Sequence, residues 1–169
     1  MSSIQKYIYI ALISFATTNL SAQDPVATFM DMHGADDNLE IISIGRRMFE
    51  KMDGLPVGDP ELKEAIKGLE TIRIVTSKDT LLNKEYYDSA HKLLERCKGF
   101  EKILSINEED RSIVVLVKET KGGAVKELLL LSGRGAGFNL VSMSGDINLN
   151  TWIKYSEGLN IEELNNLVQ

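Results

Sequence analysis

The chain has 169 residues, 43% of them hydrophobic and 26% charged, which suits one domain of ordinary size around a single core. A net charge of −6 and a pI near 5.0 argue against a nucleic-acid binder, which needs a basic face to displace counterions from phosphates. Two histidines make a catalytic triad or a histidine-rich metal centre hard to build, and a single cysteine excludes a disulfide within the chain.

The first residues differ from the rest. Lys6 precedes an almost wholly apolar run over residues 7–15, and small and polar residues then lead to Ala22. A basic start, a short apolar stretch and a small residue at the edge make a secretory signal peptide of residues 1–22, too short in its apolar part for a permanent membrane anchor. The mature chain is expected to begin at Gln23, and losing the one lysine of residues 1–22 takes the net charge from −6 to −7. With no cysteine at the cleavage edge, the expectation is a soluble periplasmic or secreted protein and not a lipoprotein. No later run approaches membrane length. Cys97 falls on the apolar side of a predicted helix and reads as a small core hydrophobe.

In chain order, Asp24-Pro25 is a helix cap with proline in the first turn, and Val26, Phe29 and Met30 follow at helical spacing up to Gly34. Residues 39–44 are rich in β-branched side chains and predict a strand, residues 46–52 a short helix, and residues 53–58 a loop. Asp59-Pro60 repeats the cap before a helix with Leu62, Ile66 and Leu69 on one face, and residues 71–76 form the next strand. Asn83 is placed to cap a helix over residues 84–98, striped by Tyr86, Tyr87, Ala90, Leu93, Leu94 and Cys97 and closed by Gly99.

From Phe100 the hydrophobic period becomes strand-like. Residues 100–107, 112–119, 124–132 and 138–144 predict four strands joined by connections short enough for an antiparallel meander. Leu128, Leu129, Leu130 and Leu131 are apolar on both faces and place their strand near the sheet centre. The last of the four is expected to break at Gly145-Asp146. A helix capped by Asn148 or Asn150 then carries Leu149, Trp152 and Ile153 inward, with Trp152 buried against the sheet, and Asn160 with Glu163 caps a final helix holding Leu164 and Leu167. The fold class is α+β: a mixed, mainly antiparallel sheet of about six strands, ending in a four-strand meander and covered by helices, as one domain over residues 23–169. Helical connections between the first three strands leave room for parallel pairs.

Several motifs invite chemistry. Asp146, Asn148, Asn150 and Glu157 match most ligand positions of a calcium-binding loop, but Thr151 stands where the loop's reversal wants glycine, and the following residues read as helix. Ser89 and Lys92 have the serine-to-lysine spacing of penicillin-recognising enzymes, with Lys121-Gly122-Gly123 as a distant third motif; the middle element is missing. The glycine-rich run from Gly133 to Gly137 leads into a strand rather than a helix, so it reads as a hairpin turn and not a phosphate cradle. Asp31, His33, Asp36 and Asp37 show no metal-ligand spacing. No cofactor is implied.

The signal peptide, Gly-Arg-Arg-Met-Phe at residues 45–49, the strand of residues 69–76 after a capped helix, and above all Glu-Leu-Leu-Leu-Leu followed by Leu-Val-Ser-Met-Ser-Gly-Asp-Ile-Asn-Leu at residues 140–149 resemble the bacterial domain of unknown function 4252 (DUF4252). The likeness covers nearly the whole mature chain. It implies an exported Gram-negative protein, often a lipoprotein, encoded near extracytoplasmic sigma-factor systems, with no established activity and no catalytic residues to carry over. This chain departs from it in lacking the lipid-attachment cysteine. The expectation is a non-enzymatic binding or interaction domain, accessory to envelope signalling, whose partner is an envelope protein or small ligand. The alternatives are a carboxylate-based or metal-assisted hydrolase using Asp146, Glu157 or Asp110, and a calcium-binding protein through Asp146 to Glu157.

Overall fold

The computed structural model describes residues 24–52, 60–77, 79, 81–109, 111–134 and 137–155. The expected signal peptide, the loop at residues 53–58, Asp59, Asp110, Glu157 and the final helix lie outside the described residues. In order these form α1 (Pro25–His33), β1 (Leu39–Gly45), α2 (Arg46–Met52), α3 (Pro60–Lys67), β2 (Leu69–Ser77), α4 (Asn83–Leu94), β3 (Glu101–Asn107), β4 (Arg111–Glu119), β5 (Val125–Arg134), β6 (Asn139–Ile147) and α5 (Leu149–Tyr155).

The six strands make one sheet in the order β1-β2-β6-β5-β4-β3, and every neighbouring pair is antiparallel. The α+β class and the C-terminal meander stand, while the expected mixed pairing gives way to a wholly antiparallel sheet. The reason lies in the helical connections. α2 and α3 return the chain beside β1 in the opposite direction, and α4 carries it from β2 to the far edge at β3, so neither connection joins parallel neighbours.

Alternation along the strands gives the sheet two apolar faces. Leu129, Leu131, Leu140, Val114 and Leu116 face α1 and α4, where they meet Phe29, Tyr86, Tyr87, Ala90 and Phe138. Leu128, Leu130, Ile113, Val115, Val117 and Met143 make the opposite face, against which Phe49 of α2, Ile66 of α3, and Leu149 and Trp152 of α5 pack. Trp152 is half-buried rather than fully enclosed. The placement of β5 between β6 and β4 fits its four consecutive leucines, two for each face.

α1 starts as the sequence dictates. The Asp24 carboxylate accepts from the amides of Val26 at 2.9 Å and Ala27 at 3.3 Å, filling two donors that the first turn leaves open. Its other oxygen pairs with Arg73 of β2 and so ties the helix start to the sheet. α4 departs from expectation at both ends. Leu82 precedes it without a side-chain cap, leaving Asn83 buried as the first helical residue. The helix stops at Leu94, because Arg96 and Cys97 donate three residues back, to Leu93 and Leu94, and tighten the chain into a turn before Gly99. Cys97 therefore lies in this turn, half-buried against the core, and donates its thiol to the Leu93 carbonyl at 3.4 Å.

Gly133 is not part of a turn. β5 runs through it, and a β-carbon there would overlap the Tyr87 ring, whose hydroxyl lies 2.6 Å from Ser112 Oγ. The glycine is what lets α4 lie so close to β5. Gly135 and Ala136 lie outside the described residues.

Candidate functional site

A cleft of about 470 Å³ opens at the end of the sheet where β2 begins and β6 finishes. Its floor is a close backbone crossing. The Asp146 amide donates to the Gly68 carbonyl at 2.7 Å, the ladder between β2 and β6 bulges between Leu69 and Thr71, and Gly145 has φ +128. Only glycine adopts that backbone freely, and a β-carbon at Gly145 would overlap the backbone of residues 68–70. β6 thus continues through Gly145 to Ile147 as a distorted strand, where the sequence led us to expect a break.

Charges of both signs make the walls: Arg46 and Glu50 from α2, Lys67 and Glu70 beside the floor, Lys126 and Glu127 from β5, and Asp146. That is three cations and four carboxylates in one cleft. Arg46 pairs with Glu70 and Lys126 with Asp146, while Lys67 pairs with Glu64 and Glu127 with Lys118 outside the cleft. In the two wall pairs all four side chains are about half exposed or more. Water screens such pairs, so each holds its geometry by at most about 1 kcal/mol. The walls are therefore pre-charged yet cheap to re-pair.

A second polar cluster sits between α1 and α4. His33 Nε2 lies 2.9 Å from Ser89 Oγ, and the Tyr86 hydroxyl donates to Asp36 at 2.5 Å. Asp36 also accepts from the backbone and side-chain amides of Asn38. The Tyr86 hydroxyl, first among these donors, holds the Asp36 carboxyl below its usual range, and burial together with Asp36 pushes Tyr86 up to about 12. A serine touching a histidine is the contact of a nucleophile and its base. Here the serine is mid-helix, and its neighbouring amides are consumed by i→i−4 bonds and so cannot face an oxyanion. Asp36 is directed at Tyr86 and Asn38 instead of the imidazole. The arrangement fastens α1 to α4.

The other sequence-derived candidates disperse. Asp146 is exposed in the cleft, whereas Asn148 Oδ1 accepts from the Thr151 amide at 3.3 Å and so caps α5. Asn150 lies within α5, and the described part of the segment that would form a calcium loop, residues 146–155, is strand end, cap and helix. Asp110 and Glu157 lie outside the described residues. Lys92 and Ser89 share α4, but Ser89 is occupied by His33. Asp31 and Asp37 are exposed away from any ligand set, and among the described residues no three histidine, cysteine or acidic side chains gather as metal ligands would. Cys97 lines a smaller cleft of about 370 Å³ with His91, Glu95, Phe100 and Lys102, and burial raises its thiol pKa away from reactivity.

Arg46, Glu70 and Lys126 carry no local signature, since they come together only when strands far apart in sequence align their ends. Gly145-Asp146 was the visible trace of this site, as a disruption of strand pattern.

The family model described as domain of unknown function (DUF4252) matches residues 32–154, a span that holds all six strands. No curated protein and no solved structure matches the chain.

Proposed function

The chain belongs to the DUF4252 family, and on that premise we propose that it is a non-enzymatic, exported binding domain whose charged cleft receives a polypeptide segment carrying charges of both signs. The mixed-charge cleft carries this reading: its exposed wall pairs can exchange partners with a ligand's own side chains at little cost. One carboxylate more than the cations disfavours phosphates and nucleic acid and suits a segment with a slight excess of lysine or arginine. The wall carboxylates Glu70 and Asp146 are each engaged by a cation, which is an arrangement for recognition more than for proton transfer.

The partner belongs to the cell envelope, where the domain serves a signalling or stress system as an accessory. Residues 1–22 support this through their signal-peptide pattern. N-terminal sequencing of the exported protein should begin at Gln23; a retained segment 1–22 or a product that needs detergent for extraction contradicts export in soluble form.

The decisive experiment uses the protein as bait in periplasmic extract, beside the variant Arg46→Glu/Lys126→Glu. Wild type should retain a partner that salt elutes and the variant should lose it, with both giving the same circular dichroism. Turnover of ester, peptide or glycan substrates by wild type, abolished in Asp146→Asn, would put the hydrolase reading first.

A further inference from the structure

The two edges of the sheet are built differently. β3 carries Glu101 and Lys102 and is bulged between Lys102 and Leu104, features that discourage another strand from pairing. β1 is less protected. It pairs with β2 in unbroken register from Leu39 to Gly45, has a single charged residue, Glu40, and contains no proline. Among the described residues no strand lies along its outer side. Ile42 is 44% exposed on this strand and Met48, just beyond it in α2, is 53% exposed, two of the few large apolar side chains left in water.

We propose that β1 pairs antiparallel with β1 of a second copy of this chain, joining two six-stranded sheets across a two-fold axis at Ile42. The sequence around the axis is self-complementary. Asp37 lies in the turn two residues before β1 and Arg47 in the first turn of α2 two residues after it, so the two-fold places Asp37 of one copy and Arg47 of the other at the same end of the paired strands. Both side chains are exposed, and neither has an ion-pair partner among the described residues. Within the strand, Ile42 meets Ile42, Ile41 meets Ser43, and Glu40 meets Ile44. The two Glu40 carboxylates are thereby displaced by about 13 Å along the strands, beyond the Debye length of about 8 Å at physiological salt. The apolar side chain at the axis, the opposite charges at both ends and the separated like charges favour this register over a slip by two residues. The surface is distinct from the charged cleft, so the two proposals fail independently.

Sedimentation velocity of the purified protein over a concentration series tests the pairing. The expected result is a reversible monomer–dimer equilibrium that Ile42→Lys shifts to monomer and that Ser105→Lys, on the opposite edge, leaves unchanged. Asp37→Arg or Arg47→Asp alone should raise the dimer dissociation constant about tenfold, and the double variant Asp37→Arg/Arg47→Asp should restore it. All these positions are exposed, and unchanged circular dichroism certifies the fold of each variant. A wild type that stays monomeric up to several hundred micromolar overturns the proposal and leaves the edge to a strand of another protein. A dimer indifferent to Ile42→Lys, or one that the double exchange fails to restore, overturns it equally.

Discussion

Trp152 places its ring against the core of the second sheet face while its indole N–H, itself buried, meets no acceptor among the described residues. Removing the ring loses packing, whereas removing only the N–H relieves an unmet polar group. Trp152→Ala should therefore cost about 3 kcal/mol in denaturant melts, and Trp152→Phe less than about 1 kcal/mol; equal losses would show that the nitrogen is satisfied in solution. The Tyr86–Asp36 bond makes a prediction in pH. Asp36 is depressed in the folded state, so its contribution is present above a pH of about 4 and is lost as the pH falls through its folded value. Tyr86 is raised to about 12, so its contribution is full below a pH of about 10 and disappears between there and the raised value. Tyr86→Phe should flatten both limbs of a melting-temperature profile, and unaltered limbs would place the hydroxyl elsewhere. The sequence offered no hint of this bond, because Asp36 and Tyr86 are fifty residues apart and meet only after α1 docks on α4.

At the scale of elements, Asp24 is both cap and anchor. Asp24→Asn keeps a side-chain oxygen for the first turn but gives up the charge that holds Arg73, whereas Asp24→Ala gives up both. The alanine variant should lose about 1–2 kcal/mol in thermal or chemical unfolding, with the asparagine variant between it and wild type. The junction of β6 and α5 yields another test. Asn148 caps the helix and the Asp146 carboxylate is paired with Lys126, so melts in millimolar calcium and in chelator should coincide. A site with dissociation constant near 10 micromolar would add roughly 2.7 kcal/mol at 1 millimolar calcium. A shift of several degrees that vanished in Asp146→Ala would establish the loop. Caps, periods and glycines made most elements legible. The errors fell where a long-range contact overruled a local cue: Tyr87 holds Gly133 inside a strand, and the Gly68 crossing carries β6 through Gly145. Asn83 has the side chain of a cap, yet it sits one residue inside the helix and is buried there.

For the whole molecule, strand existence was written in the periodicity, while strand order was not. The meander followed from its short connections, but nothing local tells β2 to accept β6 as its second neighbour. The charged cleft depends on that same choice, since it assembles the start of β2, the start of β5 and the end of β6. A chain cut after Arg134 should therefore remain unfolded or precipitate; a native-like circular dichroism spectrum with a cooperative melt would contradict this. The position of β6 also dictates when the protein can become itself. Until its last strand has been synthesised, the earlier ones can form only a two-strand ribbon and a three-strand remnant with nothing to join them. Folding must wait until β6 has emerged, so the long-range pairing that closes the sheet comes last, and the strands made before it stay exposed to wrong partners for most of that time.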